Sequence, residues 1–302
     1  MKTLKWIALL LALVPLGVRG EETALSAKLI AVTGNVSIAV PGGGGSATVG
    51  AILPVGSAVT TTAGGQATLQ FFDGTVAIVQ PDSNVTIQEH NVVSQGGVVS
   101  KENTMLDLHA GGVVASLDPS KKNVTNFRVR TPKGVAAARG TVFAVRISQD
   151  TTNASVTTMS GTVTFVTDTG TYTVSFGQTS SGNGVLSVAD AVKANPALAK
   201  DILDAASVVA QAVGNGTVTN SAQSPNLVGT VLAAMMEVAK EASPDTAAAT
   251  EATMLQLAGN NGQSSKGLLD EIVTPSTAPT KNQNTILPPL DQTQTVVSPS
   301  KP

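Results

Sequence analysis

The chain has 302 residues, of which 42% are hydrophobic, 3% aromatic and 13% charged, with a formal net charge of −2. So sparse and balanced a charge excludes the concentrated basic surface that neutralises phosphates, and nucleic acid is not an expected partner. The absence of cysteine excludes disulfides, thiolate metal centres and cysteine nucleophiles, and with few aromatics the core has to be built from Val, Ala, Leu and Ile.

The N-terminal stretch MKTLKWIALLLALVPLGVRG places Lys2 and Lys5 before an apolar block from Ile7 to Val14, followed by Pro15 and small residues. That order predicts a secretory signal peptide over residues 1–20, cut near Gly20. An uncleaved anchor is the alternative, because Val-Arg-Gly departs from a small-x-small cleavage site. The block is shorter than the roughly 20 residues that a spanning helix needs, and no later segment is apolar for that long. The expected product is an exported chain, periplasmic or extracellular, with no stable membrane span after cleavage.

From Leu29 to about Phe176 the texture is Val, Thr, Gly and Ser in short alternating runs. KLIAVTGNVSIAV, QATLQFFDGTVAIVQ, NVTIQEHNVV, FRVRTP, TVFAVRIS, ASVTTMSGTVTFV and TYTVSF each end at Gly, Asn, Asp or Pro. Strands of that length, punctuated that often, predict an all-β domain over residues 29–180, a sandwich or a stack of strands. A glycine precedes a β-branched run at Gly34, Gly74, Gly140 and Gly161, which suits a tight turn feeding a strand. VPGGGGSATVG, from Val40 to Gly50, is a flexible loop tip by composition.

Residues 187–262 read differently. SVADAVKANPALAKDILDAASVVAQAV has apolar residues at helical spacing, with Asp190 favouring a helix start and Asn195-Pro196 breaking it. Two more helices follow from Pro225 and from Asp245, separated at Ser243-Pro244 and closed by Gly259. Residues 263–302, rich in Pro, Thr and Gln, are expected to be disordered.

Reactive constellations are sparse. His90 and His109 are the only imidazoles, and neither sits at ligand spacing, so each is expected to be a solvated or strand-face histidine and no metal or other cofactor is predicted. Asp73-Gly74 between apolar runs is a hairpin signal, and one carboxylate is too few for calcium. The glycine run after Pro41 lacks the Gly-Lys-Ser/Thr of a phosphate cradle. No Gly-x-Ser-x-Gly elbow is present, and the chain is not expected to be an enzyme.

GVAAARGTVFAVRIS, residues 134–148, carries a permanent charge among small apolar residues. If Thr141 to Ile147 is a strand, Phe143, Val145 and Ile147 share one face and Val142, Ala144 and Arg146 the other. Continuing the alternation backwards puts Arg139 on the apolar face, where an unpaired guanidinium is costly. Either Gly140 turns Arg139 out, or Arg139 pairs with a carboxylate, for which Asp73 and Asp107 are the candidates.

The order of these features resembles the FecR domain of bacterial envelope signalling proteins. GNVSI is similar to its opening strand, VGSAVTTTAGGQATLQFFDGTVAIVQPDSNVTI to its central block, and FRVRTPKGVAAARGTVFAVRI to its closing signature. The resemblance implies a non-catalytic, all-β module that makes protein contacts in the periplasm, taking part in envelope sensing or scaffolding with an envelope protein as partner. It marks Asp73, Gly74, Thr131, Pro132, Arg139, Gly140, Thr141 and Phe143 as structural or interaction positions. The cytoplasmic anti-sigma segment and membrane helix of signalling members have no counterpart ahead of this domain, so a transmembrane relay is not implied. A surface protein that adheres to glycan is the alternative function. Sequence fixes no oligomeric state.

Overall fold

The computed structural model describes residues 21–148, 153–214, 216 and 227–259. The expected signal peptide and the Pro- and Thr-rich tail lie outside the described residues. The first part of the chain forms β1 (Glu21–Ala24), β2 (Ser26–Thr33), β3 (Val36–Val40), β4 (Gly43–Ser46), β5 (Ile52–Pro54) and β6 (Ala58–Thr61). The middle forms β7 (Gln66–Gln70), β8 (Val76–Val79), β9 (Asn84–Gln95), β10 (Val98–Ala110), β11 (Gly112–Ser116), β12 (Thr125–Thr131) and β13 (Gly134–Ala138). Then come β14 (Val142–Ile147), β15 (Ala154–Ser160), β16 (Thr162–Thr167), β17 (Gly170–Ser175), β18 (Gln178–Ser180) and β19 (Val185–Ser187). Four helices follow: α1 (Val188–Ala194), α2 (Ala197–Gly214), α3 (Leu227–Ala242) and α4 (Ala247–Ala258).

The strands make two sheets. Sheet A runs β17-β16-β13-β12-β10-β9-β6-β3-β4, with β1 added on β9, and sheet B runs β19-β18-β15-β14-β11-β8-β7-β2-β5. The chain passes repeatedly from one sheet to the other, so the fold is mainly β and both sandwiched and stacked. One such passage, β10 to β11 to β12, leaves β10 and β12 parallel. Between the sheets lies a core of aliphatic side chains and three fully buried phenylalanines, Phe127, Phe143 and Phe165. Phe127 meets Phe71 and Phe143 edge to face at 5.7 and 6.3 Å, the arrangement that ring quadrupoles favour.

Sheet B is apolar on both faces. Along β14, Phe143, Val145 and Ile147 enter the inter-sheet core while Val142 and Ala144 join a second core under the helices, as the alternation of the sequence predicts. Val76, Ile78, Val114 and Met159 complete the sheet's contribution to that second core. The helices supply the rest, with Val188 from α1 and, among others, Ile202, Val209, Leu232, Met235 and Met254 from α2, α3 and α4. Helix α1 begins at Ser187, whose hydroxyl accepts the Asp190 N–H at 3.1 Å, and it ends before Pro196 because the residue ahead of a proline is pushed out of helical geometry.

One expectation needs correction. The glycine-rich stretch from Val40 to Gly50 is no loop tip: Pro41-Gly42 turns β3 into β4, and a Cβ on Gly44 would lie 2.9 Å from the Ile38 carbonyl oxygen. Glycine is what lets the two backbones pair so closely. His90 is a strand-face histidine, 1% exposed on the inner side of β9, whereas His109, on β10, is exposed.

Candidate functional site

The positions singled out by the sequence fall at three turns, two of which converge on one short segment, the 3-10 turn Pro119–Lys121 between β11 and β12. In the β7–β8 turn, Asp73 accepts the Thr75 N–H at 2.7 Å on one carboxylate oxygen, and the hydroxyls of Thr75 and Thr125 at 2.8 and 2.6 Å on the other. Gly74 closes this turn by donating to the Phe71 carbonyl. Lys121 donates its ammonium to the Asp73 carbonyl, tying the turn to the 3-10 segment. From the other side Gly140 packs on Pro119: a Cβ there would sit 2.7 Å from the Pro119 Cα. Thr141 accepts the Leu117 N–H at its carbonyl, and Phe143 then drops into the core.

Arg139-Gly140-Thr141 is therefore the point where the chain leaves sheet A at β13 and enters sheet B at β14. Gly140 has φ 64°, which turns Arg139 out to solvent. Neither candidate carboxylate pairs with Arg139, since Asp107 is held by Arg130 and Asp73 by the hydroxyls just described. Thr131 and Pro132 lie apart, at the β12–β13 turn, where the Thr131 hydroxyl donates to the Gly134 carbonyl at 3.0 Å and accepts the Lys133 N–H. Pro132 is exposed.

Beside Asp73 lies a buried titratable group that the sequence conceals. Glu102 on β10 is 2% exposed, and its carboxyl is pushed up to about 8 by burial and then by the neighbouring Asp73. His90 stands 3.9 Å from Glu102, bonds Thr104 through Nδ1 at 3.0 Å and meets the Phe71 ring edge to face at 5.1 Å. Burial lowers its pKa to about 4, with Asp73 opposing the shift. At neutral pH both groups are thus held neutral, which suits a structural cluster. Among the described residues no group of three or more His, Cys, Asp or Glu residues could hold a metal ion.

The outer face of sheet A is organised otherwise. Three asparagines on adjacent strands form a ladder, Asn126 donating to Asn103 at 3.1 Å, Asn103 to Asn91 at 3.0 Å and Asn91 to Glu89 at 3.1 Å. Arg128 bonds Glu89 at 2.5 Å, and Arg130 grips Asp107 with both Nε, at 3.2 Å, and Nη2. The Arg130 guanidinium holds the Asp107 carboxyl below its usual range. Towards the sheet edge the rows continue into Thr164, paired with Thr173, and Val166, paired with Thr171. Thr171, Thr173 and Val166 are exposed. FRVRT on alternating positions was the legible signal for the arginine row; the carboxylates that meet it come from strands 20 to 40 residues earlier.

The class that the structure defines is a two-sheet, mainly β domain whose sheets are joined at turns. Residues 57–164 match the family described as FecR protein. Similar solved structures include two, at 1.65 and 2.50 Å resolution, of a candidate anti-sigma factor from Parabacteroides distasonis ATCC 8503. Each is 15% identical with a TM-score of 0.33 and covers 43% of this chain. The match spans 57% of the length of that protein. No curated protein matches the chain.

Proposed function

We propose that the chain is a non-catalytic, exported FecR-type module that binds an envelope protein through the outer face of sheet A, in envelope sensing or scaffolding. The observation that carries this reading is the asymmetry of the two sheets. Sheet B has its outer face buried under α2, α3 and α4, whereas sheet A presents rows of Asn, Arg, Glu, Asp and Thr side chains whose mutual bonds fix them before any partner arrives. Side chains already held in place lose less entropy on binding. The family match adds support, since it covers β9, β10 and β12, the strands that carry the Asn, Arg, Glu and Asp side chains of these rows.

Hydroxyl-radical footprinting of the full chain in the presence of native envelope membranes tests the face. Protection is expected at Val166 on sheet A and not at Phe72 in the β7–β8 turn, both of which are exposed in the free chain. Protection at neither site, or protection reproduced by purified envelope polysaccharide, would overturn the reading in favour of no partner on this face or of a glycan.

A further inference from the structure

A cavity lies where sheet B meets the helices, outside the face just described. It is a cleft of about 580 Å³ between the ends of β14, β15, β18 and β19 on one side and α1 and α2 on the other. That volume lies within the range of small-ligand sites. One wall is polar, with Ser148, Ser155, Ser181 and Asn183. The other is apolar and low, with Ala191, Ala194 and Leu198. At its floor Arg146 donates Nε to Asp201 at 2.8 Å, both side chains remaining partly exposed, so the other guanidinium N–H groups are within reach of the cleft.

Beneath that floor, sharing Arg146, Ser155, Leu198 and Asp201 as wall, is a pocket of about 10 Å³ bordered by Gln80. Gln80 is 1% exposed and its Nε2 has no hydrogen-bond partner. A buried donor left unpaired costs about 1–3 kcal/mol, and a space of this size holds one water. The cleft thus carries a charged pair among its lining residues and adjoins a small pocket with an unpaired donor, and is not a sealed apolar joint.

The lining narrows the ligand. A phosphate or other dense anion is opposed by Asp201 beside the one guanidinium. No aromatic ring lines the cleft on which a sugar could stack. An extended peptide fits both walls: its amide donors and acceptors match hydroxyls and a carboxamide, its alternate side chains match the alanine wall, and its carbonyls match Arg146. We infer that this cleft is a binding site for a short extended peptide segment carrying small apolar side chains, seated with its backbone on the sheet B wall and a carbonyl on Arg146.

The test is amide chemical-shift mapping on the isotope-labelled full chain, titrated with a pool of capped tripeptides bearing Ala, Val or Leu at the centre. Saturable shifts are expected at Ser181, Asn183, Ala191 and Ala194. Arg146→Met should weaken them about tenfold, one hydrogen-bonded anchor's worth. Ala194→Trp, which fills the cleft from an incompletely buried position, should abolish them without changing the thermal midpoint, so that loss of binding is separated from loss of fold. Absence of shifts up to the solubility limit, shifts confined to residues away from the cleft, or equal shifts with maltotriose would overturn the inference. None of these outcomes bears on sheet A, so the two proposals fail separately.

Discussion

Gly140 and Arg139 sit side by side in the sequence with opposite consequences. Gly140 combines φ 64° with a Pro119 Cα placed 2.7 Å from where a Cβ would go, so Gly140→Ala is expected to destabilise by about 2–4 kcal/mol, from left-handed strain plus the clash. Arg139 is exposed, and Arg139→Met should change stability by no more than about 0.5 kcal/mol. Urea unfolding of the two variants checks the contrast; equal effects would remove the sheet crossing as the pin. The buried acid and imidazole act in opposite directions on pH. The native Glu102 carboxyl, raised to about 8, keeps a proton that the unfolded chain releases above its ordinary value near 4.5, so its contribution is lost as pH rises towards 8. His90, lowered to about 4, refuses a proton that the unfolded chain takes up below 6.5, so its contribution is lost as pH falls from 6.5 to about 4. Between 4.5 and 6.5 the two oppose each other; above 6.5 the Glu102 effect stands alone. Glu102→Gln should therefore flatten the decline in urea midpoint between pH 6.5 and 8, and an unchanged slope would show that Glu102 does not cause it.

At the scale of elements, the helical layer and sheet B depend on each other. The outer face of sheet B carries Val76, Ile78, Val114, Val142, Ala144 and Met159, all buried only because the helices cover them. A chain ended at Ser187 should expose them together, and such a contiguous apolar face drives association or dye binding. Size-exclusion and a hydrophobic dye report this directly, and a monomeric, non-binding truncation with the full chain's melting temperature would contradict it. In the inter-sheet core, Phe143→Ala should cost about 3–5 kcal/mol, because Phe143 is fully buried and meets Phe127 edge to face. The elements legible in sequence were those with clean alternation or helical spacing: the two faces of β14 follow from TVFAVRI alone, and the break at Asn195-Pro196 separates α1 from α2. β10 was not legible, since SKENT interrupts its apolar positions, and β4 was not, since glycine hides strand propensity. His90 and Glu102 could not be placed because their neighbourhood is made by pairing across strands, not by spacing along the chain.

For the molecule as a whole, the sequence carried the mainly-β character, the switch to helices near Ser187 and the FecR resemblance, because each of these is written in local pattern and order. Which sheet face stays open was not legible: sheets A and B both contain Thr- and Val-rich strands, and only the docking of α2, α3 and α4 decides that, among the described residues, sheet B is closed and sheet A is left open. The central claim is that this open face binds a protein of the envelope, and crosslinked capture from native envelopes, comparing the full chain with a Thr164→Arg, Thr173→Glu double variant whose opposite charges face each other across the strand pair, tests it most directly. These two threonines are paired on adjacent strands, outside the core, so the variant should fold with an unchanged melting temperature. The account predicts that one protein is recovered with the wild-type chain and at least tenfold less of it with the variant; equal recovery with both, or recovery of polysaccharide alone, would contradict it.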